Sequence, residues 1–186
     1  MPNPSQPKVL VVDYDSSWPL TFAALQLPIW EALRGIALSV EHVGSTSVPG
    51  LAAKPIIDID AIVPSRADMP AAIERLSALG YVHCGNLGIE DREAFENPAG
   101  LPAHHLYACV QGSTALVNHL ALRDCLRRNP SAAAAYGQLK KQLAEQFPTD
   151  VEGYMSGKTE FLLDLLRSAG VPETDLLTIR HANRRQ

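Results

Sequence analysis

Two aspartates, Asp58 and Asp60, stand one residue apart in the β-branched, apolar segment 55–63. Successive side chains of a strand alternate between its faces, so this spacing predicts that both carboxylates lie on one face. There they repel each other and resist desolvation, a conflict that a divalent cation resolves. Hard oxygen ligands at this spacing suit Mg²⁺, which commonly binds one or two carboxylates together with substrate phosphates. The alternative is a strand end whose aspartates are solvated or pair with arginines.

A turn of glycine and hydroxyl residues, Gly44-Ser45-Thr46-Ser47, precedes these aspartates, and Lys54 follows it. Glycine lets the backbone approach a ligand closely, hydroxyls donate hydrogen bonds, and the N-terminus of a following helix favours anions. The pattern predicts that Gly44, Ser45 and Thr46 bind a polyphosphate, with Lys54 either reaching the phosphates or solvated. It is not a P-loop, because the second glycine comes six residues after the first and is followed by leucine. The alternative is a tight turn with a capped helix.

A histidine pair supplies a candidate base or ligand. His104 and His105 open the segment 104–110, whose composition predicts a strand. Neighbours on a strand face opposite ways, so only one of the two can point at the aspartates. We favour His105, because it shares a face with Tyr107 and Cys109 that could look into a pocket.

Four further residues are candidates for substrate binding. His119 and Arg123 are four residues apart, hence on one face of a predicted helix. A guanidinium there can clamp a phosphate or carboxylate, or pair with an acidic neighbour. Lys158 lies early in the last predicted helix, where the helix dipole disfavours a cation, which indicates a partner anion. Arg92 lies in the region 85–103, which is predicted to be irregular or a hairpin, where binding residues are common but ordinary surface arginines are commoner.

The elements that position these residues follow from apolar periodicity and from turn residues. Strands are predicted at 8–12, 38–43, 55–63, 81–84 and 104–110, and helices at 18–33, 68–79, 114–128, 130–147 and 154–169. Pro28 is expected to kink or split the first helix. We expect a single domain at 1–186, with an α/β core at 8–112, a helical C-terminal part at 113–170 and a flexible tail at 180–186. The fold class is α/β of the α+β kind, a mixed sheet flanked by helices.

Composition excludes several classes of protein. Of the 186 residues, 46% are hydrophobic, which is enough for an ordinary buried core. The net charge of −4 provides no basic excess, so we expect no nucleic-acid partner. No apolar stretch reaches the roughly 20 residues of a membrane span, and the N-terminus lacks a secretory pattern. We therefore expect no membrane partner. Three separated cysteines fit neither a disulfide framework nor a metal knuckle, so we expect a cytoplasmic protein. The oligomeric state stays open.

The turn and the paired aspartates together form the minimal signature of the nucleotidyltransferase superfamily. The segment from Glu41 to Ile59, EHVGSTSVPGLAAKPIIDI, resembles the GrpB family of that superfamily. Other segments similar to GrpB motifs are 14–19, 92–95, 104–106, 119–124, 136–140 and 158–161. The resemblance covers roughly residues 11–166.

The resemblance implies a nucleotidyltransferase-like fold and a metal-dependent enzyme. It implies transfer of a nucleotidyl group, AMP from ATP or another nucleoside triphosphate, to a small-molecule acceptor. The turn would hold the triphosphate, and Asp58 and Asp60 would hold Mg²⁺ or Mn²⁺. The substrate-binding candidates are Arg92, His104, His119, Arg123 and Lys158.

One departure from the superfamily pattern concerns a third carboxylate, which polymerase-like members place on a later strand. The corresponding strand here offers histidines, so His105 would act as a general base or as a ligand. Two other functions fit the same residues. One is an ATP-dependent enzyme that activates a carboxylate and forms an amide or a ring, and the other is a non-catalytic protein that binds a nucleotide or small molecule.

Overall fold

The computed structural model describes residues 8–168, 170–174, 176–177 and 180. It has the mixed α+β architecture that the sequence predicts, with a five-stranded sheet followed by a helical C-terminal part. The elements are α1 (Trp18–Ala32), β1 (Ser39–Val43), β2 (Ile57–Val63), α2 (Met69–Ala78), β3 (Val82–Gly85), β4 (Arg92–Glu96), β5 (His104–Val110), α3 (Thr114–Arg128), α4 (Pro130–Gln146) and α5 (Val151–Ser168).

The sheet has the strand order β1-β2-β5-β4-β3, with β2 and β5 parallel and all other neighbours antiparallel. The register between the two parallel strands places Asp58 opposite His105 and Asp60 opposite Tyr107. Because paired residues on neighbouring strands share a face, these four side chains lie together on one side of the sheet.

The two faces of the sheet have different partners. One face carries Ile57, Ile59 and Leu106, which are at most 2% exposed and pack in the main core with residues of α1 and α2. On the other face, α3 packs against the sheet through Leu116, which clusters with Ile62 and Cys109. Burying each large apolar side chain contributes about 1.5–3 kcal/mol, so the apolar face anchors the sheet. The face that carries the aspartates is left to line a site.

The first helix differs from its prediction. Pro28 lies inside α1, yet the helix runs unbroken from Trp18 to Ala32. A proline in a helix interior costs about 3 kcal/mol. The burial of Leu25 and Ile29 on the sheet-facing side contributes a similar amount and holds the segment helical.

The predicted strand at 8–12 is also wrong. Only an isolated bridge forms there, between Val12 and Ala53, while the Val9 amide bonds to the Pro148 carbonyl. The segment therefore hydrogen-bonds to two separate parts of the chain and does not form a strand of the sheet. The expected tail at 180–186 lies outside the described residues apart from Arg180. Within the described part of the chain, no helix combines the length and apolar character needed to cross a membrane.

Candidate functional site

A cavity of about 270 Å³ opens on the face of the sheet that carries the aspartates. It lies between the turn after β1, the strands β2, β4 and β5, and the helices α3, α4 and α5. It collects all the residues singled out in the sequence except Asp60 and His104: Gly44, Ser45, Thr46, Lys54, Asp58, Arg92, His105, His119, Arg123 and Lys158. Residues from distant parts of the chain therefore meet at one place.

Each aspartate of β2 pairs with a histidine. His105 Nδ1 lies 2.8 Å from Asp58 Oδ1, and His119 Nδ1 lies 2.7 Å from Asp60 Oδ2. An ionised carboxylate only accepts hydrogen bonds, so Nδ1 carries the proton in both rings. In the neutral rings Nε2 is then left as a proton acceptor. The His105 side chain is half exposed and lines the cavity.

Asp60 is the more deeply placed of the two carboxylates. It is 0% exposed, and its Oδ1 has no hydrogen-bond partner among the described residues. Burial lowers the pKa of His119, but the charge and hydrogen bond of Asp60 outweigh that effect and raise the pKa above its ordinary value of 6.5. An unpaired buried carboxylate oxygen is costly, which indicates a position where a cationic ligand would be bound.

Asp58 and Asp60 could bind a divalent ion only if a substrate and water supply its remaining ligands. The described residues contain no group of three or more His, Cys, Asp or Glu arranged to hold a metal ion. Asp58 lines the cavity and Asp60 offers its unpaired Oδ1, so the chain could supply two carboxylate ligands. Mg²⁺ commonly takes its remaining ligands from phosphates and water. The donor set therefore fits a magnesium-like ion that arrives with a phosphate substrate.

Gly44 is required by its contact with Asp58. Its φ of +68° and ψ of −173° lie in a region that side chains other than glycine almost never adopt. A Cβ built on Gly44 would lie 2.0 Å from Asp58 Oδ2. The glycine thus lets the turn pass directly beside the carboxylate. The sequence predicted that Gly44 makes room for a phosphate, whereas the contact in the structure is with Asp58.

The turn is braced by hydrogen bonds within the protein. Thr46 Oγ1 donates to the Ile56 carbonyl (3.2 Å) and accepts from His42 Nε2 (3.0 Å). Burial lowers the pKa of His42 to about 4, so its ring is neutral. The Thr46 hydroxyl is therefore occupied within the protein, whereas the Ser45 hydroxyl accepts only from Lys140 among the described residues. Only a 3₁₀ helix of three residues follows Gly44, so the predicted helix N-terminus is not present.

Three lysines surround the cavity beside Asp58. Lys140 is 2% exposed and its Nζ donates to Ser45 Oγ at 2.7 Å. Lys54 and Lys158 lie over the Tyr154 ring, 4.9 and 5.3 Å from its centroid. Among the described residues none of the three makes an ion pair within the site. We call Lys54, Lys140 and Lys158 the lysine cluster.

The pKa values of all three lysines in the cluster are lowered. Burial and the neighbouring charge of Lys158 lower the pKa of Lys140 to about 7. Burial and the charge of Lys54 lower the pKa of Lys158 to about 8. Burial also lowers the pKa of Lys54. The charge of Asp58 raises the pKa of all three lysines but only partly offsets these effects. Cations held together with one carboxylate in a cavity indicate that an anion of several charges belongs there.

The two arginines of the site differ in their contacts. Arg123 already pairs with Glu41 and Asp124, each at 2.8 Å, so its guanidinium is largely occupied. This was the alternative that the sequence allowed. Arg92 lies over the Tyr107 ring, 4.4 Å from its centroid, is 3% exposed, and its side chain makes no hydrogen bond among the described residues. Arg92 is therefore the arginine available to a ligand.

The placement of His104 contradicts its predicted role in substrate binding. Its ring is buried away from the cavity, where Nε2 meets the Tyr81 hydroxyl at 2.9 Å and Nδ1 meets the Pro102 carbonyl at 2.7 Å. Alternation along β5 sends His104 to the face opposite His105. The His104 side chain therefore belongs to the protein interior and makes structural hydrogen bonds. The sequence argument did identify His105 as the one facing the aspartates.

Some residues of the site were missed. Lys140, Tyr136, Tyr154 and Asn118 line the cavity but were not identified as site residues. The spacing of Tyr136 and Lys140, four residues apart on α4, was a usable signal, since such residues share a helix face. Lys158 was identified for a reason that proved wrong. The last helix begins at Val151, not near residue 154, so Lys158 lies in its middle, where the dipole has little effect.

Comparisons with known proteins agree with this architecture. The family model described as GrpB protein matches residues 8–168. The chain is 36% identical over 155 residues to UPF0157 protein YqkA of Bacillus subtilis, which covers 83% of this chain and 45% of that protein. It is 36% identical over 173 residues to UPF0157 protein PA4798 of Pseudomonas aeruginosa, which covers 90% of this chain and 70% of that protein. The chain thus spans less than half the length of the first relative.

The chain aligns with solved structures to different degrees. The crystal structure of conserved protein GrpB from Enterococcus faecalis aligns with a TM-score of 0.77 and 34% identity, covering 86% of this chain and 96% of that chain. Terminal uridylyl transferase 4 from Trypanosoma brucei with bound UTP aligns with a TM-score of 0.48 and 12% identity, covering 89% of this chain and 64% of that chain.

Proposed function

The chain belongs to the GrpB family, and from that premise we propose that it is a metal-dependent nucleotidyltransferase. It would transfer a nucleotidyl group, AMP from ATP or the equivalent from another nucleoside triphosphate, to a small-molecule acceptor. The observation that carries this proposal is the lysine cluster, whose three cations share the charge of Asp58 and make no ion pair among the described residues.

A triphosphate compensates the positive charge of the lysine cluster better than an anion with a single charge. Three neighbouring ammonium groups each disfavour the others' protonated form, and a single carboxylate would compensate only one of them. A triphosphate carries several negative charges over a length that could reach all three lysines and the Ser45 hydroxyl. Charge-assisted hydrogen bonds of this kind are about twice as strong as neutral ones. The lysine cluster would therefore hold the phosphates while Asp58 faces the reacting end.

Asp58 and Asp60 would hold Mg²⁺ or Mn²⁺. Such an ion, when bound, neutralises charge that develops on a phosphoryl group. The chain supplies the rest of the arrangement. His119 holds Asp60 in place through its Nδ1 proton, and Gly44 lets the turn lie against Asp58. Both carboxylates are thus oriented before any substrate arrives, which reduces reorganisation during the reaction.

His105 would take the proton of the acceptor. Its Nδ1 proton is fixed on Asp58, so its Nε2 is the free acceptor. An acceptor hydroxyl or amine would lose its proton to Nε2 as it bonds to the α-phosphorus. The bond from that phosphorus to the β-phosphate oxygen would break, and pyrophosphate would leave. A base oriented by a carboxylate is a familiar arrangement in acid–base catalysis.

Replacing Lys140 tests the proposed triphosphate site. We expect Lys140→Gln to weaken binding of α,β-methylene-ATP about 30-fold, because a buried charge-assisted contact to phosphate is lost. Isothermal titration calorimetry with Mg²⁺ measures the affinity. Lys141→Gln is the matched control, because Lys141 is exposed and pairs with Asp13 outside the cavity. Equal analogue affinity in the wild type and in Lys140→Gln would contradict the proposal.

The same variant has a distinctive pH dependence. The Lys140 pKa is about 7 in the folded protein and returns to its ordinary value of 10.5 on unfolding. Between these pH values the unfolded chain binds more protons, so this lysine makes stability rise with pH. We expect the slope of unfolding free energy against pH from 7 to 10 to be smaller in Lys140→Gln. Urea unfolding at several pH values measures it, and an unchanged slope would contradict the buried position of Lys140.

The neighbouring histidines of β5 should behave differently. We expect His105→Ala to lower the transfer rate about 10²-fold, the usual scale for loss of a general base. His104→Ala should leave the rate within a few-fold but lower the melting temperature, because it removes the buried hydrogen bond to Tyr81. Pyrophosphate release and thermal unfolding provide the two measurements. Equal rates for His105→Ala and the wild type would remove this histidine from the mechanism.

A further inference from the structure

Arg92 is a buried cation that the fold does not neutralise. It extends from β4 over the Tyr107 ring and is 3% exposed, while its Nε has no hydrogen-bond partner. No carboxylate lies within ion-pair distance of it among the described residues, although Asp60 stands on the same face of the sheet. A buried guanidinium without an anion is costly, and this one lines the cavity.

The stacking on Tyr107 makes Arg92 suited to recognition. A guanidinium that lies over an aromatic ring keeps its plane fixed and retains its donors for a ligand. A planar carboxylate or a phosphate matches two of those donors at once. Asn118 of α3 lines the same cavity, and its Oδ1 is buried without a partner. That oxygen only accepts hydrogen bonds, so it could take one from a hydroxyl or amine of a ligand.

Arg92 stands apart from the lysine cluster. Lys140 contacts Ser45 in the turn that follows β1, whereas Arg92 lies on β4. The turn lies against Asp58 of β2, and in the strand order β2 and β4 are two spacings apart, which corresponds to about 10 Å. The aspartates of β2 lie between the two positive ends. A ligand bound at one end would thus approach the carboxylates from the side opposite a ligand bound at the other.

We infer that the acceptor of the proposed transfer is a small acid, whose carboxylate or phosphate pairs with Arg92 while its hydroxyl or amine lies near His105 and Asp58. This inference rests on the proposed function, which assigns the triphosphate to the lysine cluster. The oxyanion paired with Arg92 is a handle that orients the acceptor. The two positive ends of the cavity then bind the two substrates, and the negative centre faces the reacting atoms.

The experiment compares small probes rather than one presumed acceptor. Acetate, glycolate, glycine and inorganic phosphate are titrated into the protein in the presence of Mg²⁺ and α,β-methylene-ATP, with acetamide as the neutral control. Saturation-transfer NMR measures the binding of the three carboxylates and of acetamide, and line broadening in phosphorus NMR measures the binding of phosphate, which has no carbon-bound protons. We expect at least one anionic probe to bind and acetamide not to bind. Stronger binding of the carboxylates identifies a carboxylic acid acceptor, and stronger binding of phosphate identifies a phosphorylated one.

Variants separate the two ends of the cavity. Arg92→Gln should weaken the anionic probe about tenfold or more while leaving analogue affinity within twofold. Lys140→Gln should have the opposite effect. Arg92→Lys keeps the charge without the bidentate fork and should lose only part of the probe affinity, which covers the case in which Arg92→Gln does not fold. Arg66→Gln is the control, because Arg66 pairs with Glu90 on the exposed surface.

Several outcomes would overturn the inference. Equal probe binding in the wild type and Arg92→Gln would do so, as would the absence of binding by every anionic probe. A loss of analogue affinity in Arg92→Gln as large as that in Lys140→Gln would make Arg92 a triphosphate ligand and leave only the proposed function standing. If the wild type binds acetate through Arg92 but does not bind the analogue, the acid site stands and the proposed function fails.

Discussion

Asp58→Asn and Asp60→Asn should each lower the transfer rate about 10³-fold, because each removes one charged ligand of the proposed metal ion. Each should also weaken binding of Mn²⁺ in the presence of α,β-methylene-ATP. Stability without metal should change little, since the loss of one carboxylate relieves the repulsion within the pair but also removes a charge that interacts with His105 or His119. Asparagine keeps an oxygen that accepts the histidine proton, so the hydrogen bonds of His105 and His119 can persist.

Three measurements check this prediction. Pyrophosphate release gives the rate, calorimetric titration with Mn²⁺ gives the affinity, and thermal unfolding gives the stability. Asp164→Asn serves as the control, because Asp164 pairs with Arg167 on the exposed surface of α5. If wild type and both variants bind Mn²⁺ equally, the ion is held elsewhere. A fall in stability without loss of ion affinity would assign the pair a structural role.

Gly44→Ala should destabilise the protein by about 3–5 kcal/mol and displace the Asp58 side chain. The backbone region of Gly44 costs a non-glycine residue about 1–3 kcal/mol. The new Cβ would lie 2.0 Å from Asp58 Oδ2, and relieving such an overlap costs a similar amount again. Since Asp58 must move, we also expect weaker divalent-ion binding in whatever fraction remains folded.

Gly50→Ala separates the two causes. Gly50 also has a positive φ, +78°, but a Cβ there would meet no atom within 4 Å. It should therefore show only the backbone strain, and the difference between the two variants measures the contact with Asp58. Urea unfolding gives both free energies. Similar losses for Gly44→Ala and Gly50→Ala would mean that the turn tolerates the Cβ, so the close approach of Gly44 to Asp58 would not be needed.

The helices, most of the strands and the shared face of the two aspartates could be predicted from the spacing of residues along the sequence. Alternation with period two determined that Asp58 and Asp60 share a face, and it selected His105 over His104. Helical spacing placed His119 and Arg123 together on α3, whose bounds match the prediction. The motif at 41–59 predicted that the chain belongs to the GrpB family, and the family match and the relatives confirm this. These properties depend on neighbouring residues, so the chain order is enough to predict them.

The tertiary structure decided which of these residues are free to act. Arg123 is occupied by Glu41 and Asp124, and the Thr46 hydroxyl is occupied within the turn. Arg92 and Lys140 are left without an anion. The pairing of Arg123 with Glu41 and the contact of Lys140 with Ser45 join segments far apart in the chain, which the packing of α3 and α4 over the sheet brings together. Local spacing predicts which way a side chain points, but only packing determines which partner it meets and how much water is excluded from it.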